Sequence, residues 1–139
     1  MSGVKVGNKV ISSSSPTYLI AEIGINHNGD LEIAKKLIDE AATYGFDAVK
    51  FQKRTIDVVY TADELAKERQ SVYGNTNGDL KRGLEFNFED YTEIDKYCKS
   101  KGIDWFASPW DEESVDFLEK FNVVAHKVCL LYTSPSPRD

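Results

Sequence analysis

The chain has 139 residues, 41% of them hydrophobic, which is enough for one domain with an apolar core. A formal net charge of -6 excludes nucleic acid and anionic membrane surfaces as main partners, though a few local cations could still hold an anionic small molecule. The two cysteines, Cys98 and Cys129, have no metal or disulfide spacing, and no signal-like or bilayer-length apolar run is present, so a cytoplasmic setting is expected.

Residues 4–11, "VKVGNKVI", read as a short hairpin turning at Gly7-Asn8, and "SSSSP" (12–16) as a linker. Residues 18–23 form an apolar run of strand length. Residues 31–44 then take helical spacing, with Leu31, Ala34, Ile38, Ala41 and Ala42 on one side. Asp30 is placed as the N-cap, Glu32 lies in the first turn, and Gly45 is a natural stop. Residues 47–52, "DAVKFQ", form the next strand. The polar stretch 53–87 holds only short helices, with Gly74-Asn75 and Asn77-Gly78 as turn signals. Residues 88–101 return to helix, facing Tyr91, Ile94, Tyr97 and Cys98 inward and ending at Gly102. Residues 103–107 are a strand, 111–121 a helix burying Val115, Leu118 and Phe121, and 123–128, "VVAHKV", a fourth strand.

Strand alternating with helix predicts an α/β fold with a parallel sheet, either a doubly wound open sheet or a (β/α)8 barrel. A full barrel needs about 250 residues. This chain has room for about the first four β/α units, preceded by the hairpin. Residues 129–139 interrupt the pattern: Ser134-Pro135-Ser136-Pro137 cannot begin the helix that is due, which points to sequence foreign to the fold or to a disordered end. The expected division is therefore 1–16, hairpin and linker; 17–128, partial barrel; and 129–139, tail.

In parallel α/β folds, ligands bind at the carboxyl ends of the strands. There the first strand delivers Glu22 and the loop 26–28, the second Lys50 and Gln52, the third Ser108, and the fourth Lys127. Lys50 and Gln52 are two apart and share a face. An inward Lys is costly unless an anion meets it, so Lys50 and Lys127 suit a phosphate or carboxylate, with Ser108 adding a hydroxyl. Glu22 is then free to hydrogen-bond a second, neutral reactant or to act as acid or base. Each residue also has a plainer reading. Asn28-Gly29-Asp30 serves as turn and cap, His27 as a solvated loop residue, His126 as structural, and Asp111-Glu112-Glu113 as a helix-dipole complement. A non-catalytic anion-binding α/β module is the corresponding alternative for the whole chain.

"AEIGINHNGD", "AVKFQ", "WFASPWDEESVDFLEKF" and "HKV", in this order over residues 17–128, resemble the N-terminal half of the barrel of bacterial sialic acid (N-acetylneuraminate) synthases. The resemblance implies a partial TIM barrel, normally followed by an antifreeze-like domain that completes the site of the partner subunit in a homodimer. It implies condensation of phosphoenolpyruvate with N-acetylmannosamine or a related amino sugar, assisted by a divalent metal, manganese or else magnesium. Legionaminate, pseudaminate and spore-coat polysaccharide synthases are neighbouring possibilities. By position, Glu22 resembles the active-site glutamate, Lys50 and Lys127 the lysines that meet phosphoenolpyruvate, and Gln52 and Ser108 their neighbours. Asn75, in the stretch that aligns least closely with the family, is what the resemblance implies as a candidate sugar contact. No residue of this chain matches the family's two metal-binding histidines, so this stretch alone is expected to be inactive.

Overall fold

A computed structural model describes residues 3–128. Strands β1 (Val4–Val6) and β2 (Lys9–Ile11) form the expected antiparallel hairpin, with Gly7 in the left-handed region at its turn. Next come β3 (Ile20–Gly24), α1 (Leu31–Thr43), β4 (Ala48–Lys53), α2 (Ile56–Val59) and α3 (Ala62–Ala66). They are followed by β5 (Glu68–Ser71), β6 (Gly74–Thr76), α4 (Asn77–Gly83), α5 (Phe88–Lys101), β7 (Asp104–Pro109) and α6 (Glu112–Glu119).

Helix boundaries follow local chemistry. The Asp30 carboxylate accepts from the amides of Glu32 (2.8 Å) and Ile33 (3.2 Å), satisfying donors that the first turn of α1 leaves free. Beyond α1, the amide of Phe46 donates to Ala41, closing the helix over Gly45 at φ +78. Asn87 and Asp90 cap α5 reciprocally, and Gly102 ends it at φ +67.

Strands β3, β4 and β7 form a parallel sheet in that order. On its helix side, Ile23, Val49, Phe51, Trp105 and Ala107 pack against Ala34, Ile38 and Ala41 of α1 and Tyr91, Ile94 and Cys98 of α5. Tyr91 is the hub: it stacks on Trp105 at 5.4 Å, meets Phe51 edge-on at 6.1 Å, and donates its hydroxyl to the Gln52 carbonyl at 3.0 Å. Burial pushes the Cys98 thiol up to about 12, which marks it as an inert core residue. At the amino ends of the strands, Asp47 pairs with Lys9 of the hairpin, and the Tyr18 hydroxyl donates to Asp104 at 2.9 Å.

Three expectations need correction. Residues 123–128 form no strand; one parallel bridge, Ala107 to His126, ties them to the β7 edge. Val115 is exposed, because α6 turns Ser114 and Leu118 inward instead. Stretch 53–87 contains an unforeseen hairpin, β5 and β6, in addition to its short helices. The tail, 129–139, lies outside the described residues.

Candidate active site at the carboxyl ends of the strands

The register puts Glu22 opposite Lys50, Lys50 opposite Phe106, and Gln52 opposite Ser108. These residues share the sheet face turned away from α1 and α5. Lys50 is only 7% exposed, and its Nζ lies 2.7 Å from Glu22 Oε2 while donating to Ser108 Oγ at 2.9 Å. The Glu22 side chain is 54% exposed. The ammonium is thus withdrawn from water and its counter-ion is not. This asymmetry suits a site in which an arriving anion takes over part of the pairing to the lysine.

Beyond Glu22 the register with β4 shifts, so that Gly24 rather than Ile23 stands opposite Phe51. Gly24 has φ +57, and a Cβ there would lie 3.2 Å from Glu22 Oε1 and 3.5 Å from Gln52 Nε2. Glycine therefore leaves room between the carboxylate and the amide. In the sequence, the only signal of this role for Gly24 is its place just past the strand-end carboxylate.

Ser108 is buried within β7, which runs one residue past it to Pro109. Next to it, Asp111 caps α6 and also accepts from the Thr55 amide (2.8 Å) and hydroxyl (2.9 Å), joining the exit of β4 to that of β7. Burial opposes ionisation of Asp111, but these donors outweigh it and hold the carboxyl below its usual range. A further anchor, also unforeseen, is Arg54. It is 5% exposed, donates Nε to Glu85 at 2.6 Å and Nη1 to the Tyr60 hydroxyl at 3.2 Å, and so fixes the 53–87 segment near the site.

The structure brings Glu22, Lys50, Gln52 and Ser108 together but not Asn75 or Lys127. Asn75 is exposed on β6. Lys127 is exposed, its amide donates to the Ala107 carbonyl, and its side chain does not reach Glu22 or Ser108, the acceptors that Lys50 uses. His126 meets Glu119 at 2.5 Å, in keeping with a structural role.

His27 is not a solvated loop residue. It is 2% exposed, stacks on Phe86 at 4.0 Å, and accepts the Gly29 amide on Nδ1 at 3.0 Å. Burial, aided by the nearby Arg54 charge, lowers its pKa from 6.5 to about 4. The unfolded chain therefore takes up a proton before the folded one does, so stability present above pH 6.5 is lost as pH falls toward 4. The loss is on the order of 3 kcal/mol. Urea unfolding across this window should show it in the wild type and lose most of it in His27→Gln. An equal slope in both proteins would remove His27 as the cause.

With this geometry in place, relatives can be compared. The NeuB family model matches residues 37–132. Human N-acetylneuraminate-9-phosphate synthase is 39% identical over 120 residues, covering 85% of this chain and 33% of the human protein. The N,N'-diacetyllegionaminic acid synthase of Legionella pneumophila is 34% identical over 125 residues, covering 88% of this chain and 35% of that one. The crystal structure of a sialic acid synthetase from Leptospira borgpetersenii, in complex with citrate, superposes with a TM-score of 0.71 at 27% identity, covering 88% of this chain and 39% of that one. The chain thus spans about a third of the length of the curated relatives it matches. From the family match and these relatives together, the chain belongs to the NeuB family.

Proposed function

We propose that this chain supplies part of the active site of a synthase that condenses phosphoenolpyruvate with N-acetylmannosamine, or a related N-acetylated amino sugar, to a nonulosonic acid and phosphate. The observation carrying this reading is the buried Lys50 ammonium held between Glu22 and Ser108 at the strand ends. In this reading, Lys50 and Ser108 bind an anionic group of phosphoenolpyruvate. Glu22 and Gln52, flanking Gly24, hydrogen-bond the sugar beside its aldehyde. C3 of phosphoenolpyruvate attacks that carbon, water adds at C2, and phosphate leaves. Lys127 joins the anion side once the rest of the barrel is in place, and Asn75, carried by the β5–β6 hairpin, extends the sugar side.

Residues 17–128 then form the opening units of a (β/α)8 barrel behind the hairpin segment 1–16, with three parallel strands in place and 123–128 alongside the edge where a fourth would pair. A divalent cation, manganese or magnesium, polarises the aldehyde when bound. Among the described residues, no three His, Cys, Asp or Glu side chains stand together to hold one. His27 is stacked in the core and His126 is engaged by Glu119. The ligands would come from elsewhere in a longer protein, which on this reading works as a cytoplasmic homodimer. Among the described residues, no helix is long and apolar enough to cross a membrane.

The 139-residue chain alone is expected to turn over no substrate. Titrating it with phosphoenolpyruvate while following the Lys50 and Ser108 resonances by NMR tests the anion side. Saturable shifts confined to β3, β4 and β7 are expected; their absence at millimolar ligand would count against the assignment.

A further inference from the structure

We propose that Tyr73 is a positioning residue: it latches the β5–β6 hairpin, which carries Asn75, onto the loop leaving the Glu22 strand, so that the amino-sugar side of the site is held as one unit. This rests on the synthase reading above. The loop at residues 25–29 forms a turn in which every amide from 28 to 30 is engaged: Asn28 with the Ile25 carbonyl (3.1 Å), Gly29 with His27 Nδ1 (3.0 Å) and Asp30 with the His27 carbonyl (2.9 Å). Asn28 and Gly29 both take left-handed φ, +53 and +70. The hairpin grips this turn from outside. The Tyr73 hydroxyl donates to the Asn28 carbonyl. The Tyr73 ring lies on Gly83, where any Cβ would collide with it, and the Gly83 carbonyl occupies the space a Cβ on Gly29 would need.

Two glycines and one phenol therefore make a close joint between segments far apart in sequence. On one side of the joint, Glu22 lies a few residues upstream. On the other, Asn75 lies two residues beyond Tyr73. The hairpin is polar, and Val72 at its tip is almost fully exposed, so little apolar burial holds β5 and β6 in place. The latch supplies what burial does not.

The test is amide hydrogen exchange on the full chain, wild type against Tyr73→Phe, which removes only the hydroxyl. Exchange at Asn28, Gly29 and Asp30 should rise at least about tenfold, with the sheet amides of β4 and β7 unchanged. Gly83→Ala, which displaces the ring from the opposite side at ordinary helical backbone, should give the same pattern. Unchanged loop exchange, or a uniform rise across the sheet, overturns the latch. In parallel, N-acetylmannosamine is titrated with phosphoenolpyruvate present. Tyr73→Phe should weaken the sugar at least about fivefold and leave phosphoenolpyruvate affinity as in the wild type. Faster loop exchange with sugar affinity unchanged overturns the positioning role. If the wild type binds no sugar, the substrate reading fails, and the exchange data still decide the latch.

Discussion

Lys50→Met is expected to weaken phosphoenolpyruvate binding by about 30- to 100-fold while leaving the fold intact. A charge-assisted hydrogen bond to an ionised group contributes about 2–2.7 kcal/mol, which converts to that range of affinity. Methionine keeps the buried stem and removes the ammonium, so the packing around Phe106 and Ser108 survives. Glu22 loses its partner but is half in water, so stability should change by less than about 1 kcal/mol. Calorimetric titration with phosphoenolpyruvate beside a thermal melt separates the two effects. Unchanged affinity removes Lys50 from the site. A collapse in melting temperature would instead make the lysine a structural residue.

Glu22→Gln acts in the opposite direction. Its amide can still accept a hydrogen bond through oxygen, but the Lys50 charge, which is nearly buried, is then left with neutral acceptors alone, this oxygen and the Ser108 hydroxyl, and no counter-ion. Removing one partner of a fully buried pair costs about 3–5 kcal/mol; with Glu22 half-exposed, a loss of about 1–2 kcal/mol is expected. Saturating phosphate or phosphoenolpyruvate should restore part of that stability by supplying the missing anion, a rescue that Lys50→Met cannot show. Turnover by a protein of the relatives' full length should fall with the fold retained. A melt unaffected by either anion would mean that the pair does not face the ligand.

Much of this site is legible in the residue pattern. The period of two that puts Lys50 and Gln52 on one face and Val49 and Phe51 on the other holds in β4, and the carboxylate closing an apolar run does meet the lysine beside it. Asp30, Gly45 and Gly102 mark their helix ends because capping is local chemistry. What was missed depends on partners distant in sequence. His27 looks like any loop histidine until Phe86 covers it. Arg54 gives no sign of burial until Glu85 and Tyr60 meet it. The β5–β6 hairpin lacks apolar alternation and turns through Val72-Tyr73, ahead of the glycine that signalled a turn. The β-prone run 123–128 has the propensity of a strand, but pairing needs a neighbour, and here it makes one bridge.

The measurement that bears most directly on the proposed chemistry is phosphate release from phosphoenolpyruvate by a protein of the relatives' full length that carries residues 1–128 unchanged. It is run with and without N-acetylmannosamine, in manganese buffer, for the wild type and Lys50→Met. Release should require the sugar and should fall at least about tenfold in the variant at subsaturating phosphoenolpyruvate. Release that proceeds equally without the sugar, or that ignores the loss of Lys50, would contradict the assignment of this strand-end site to the condensation.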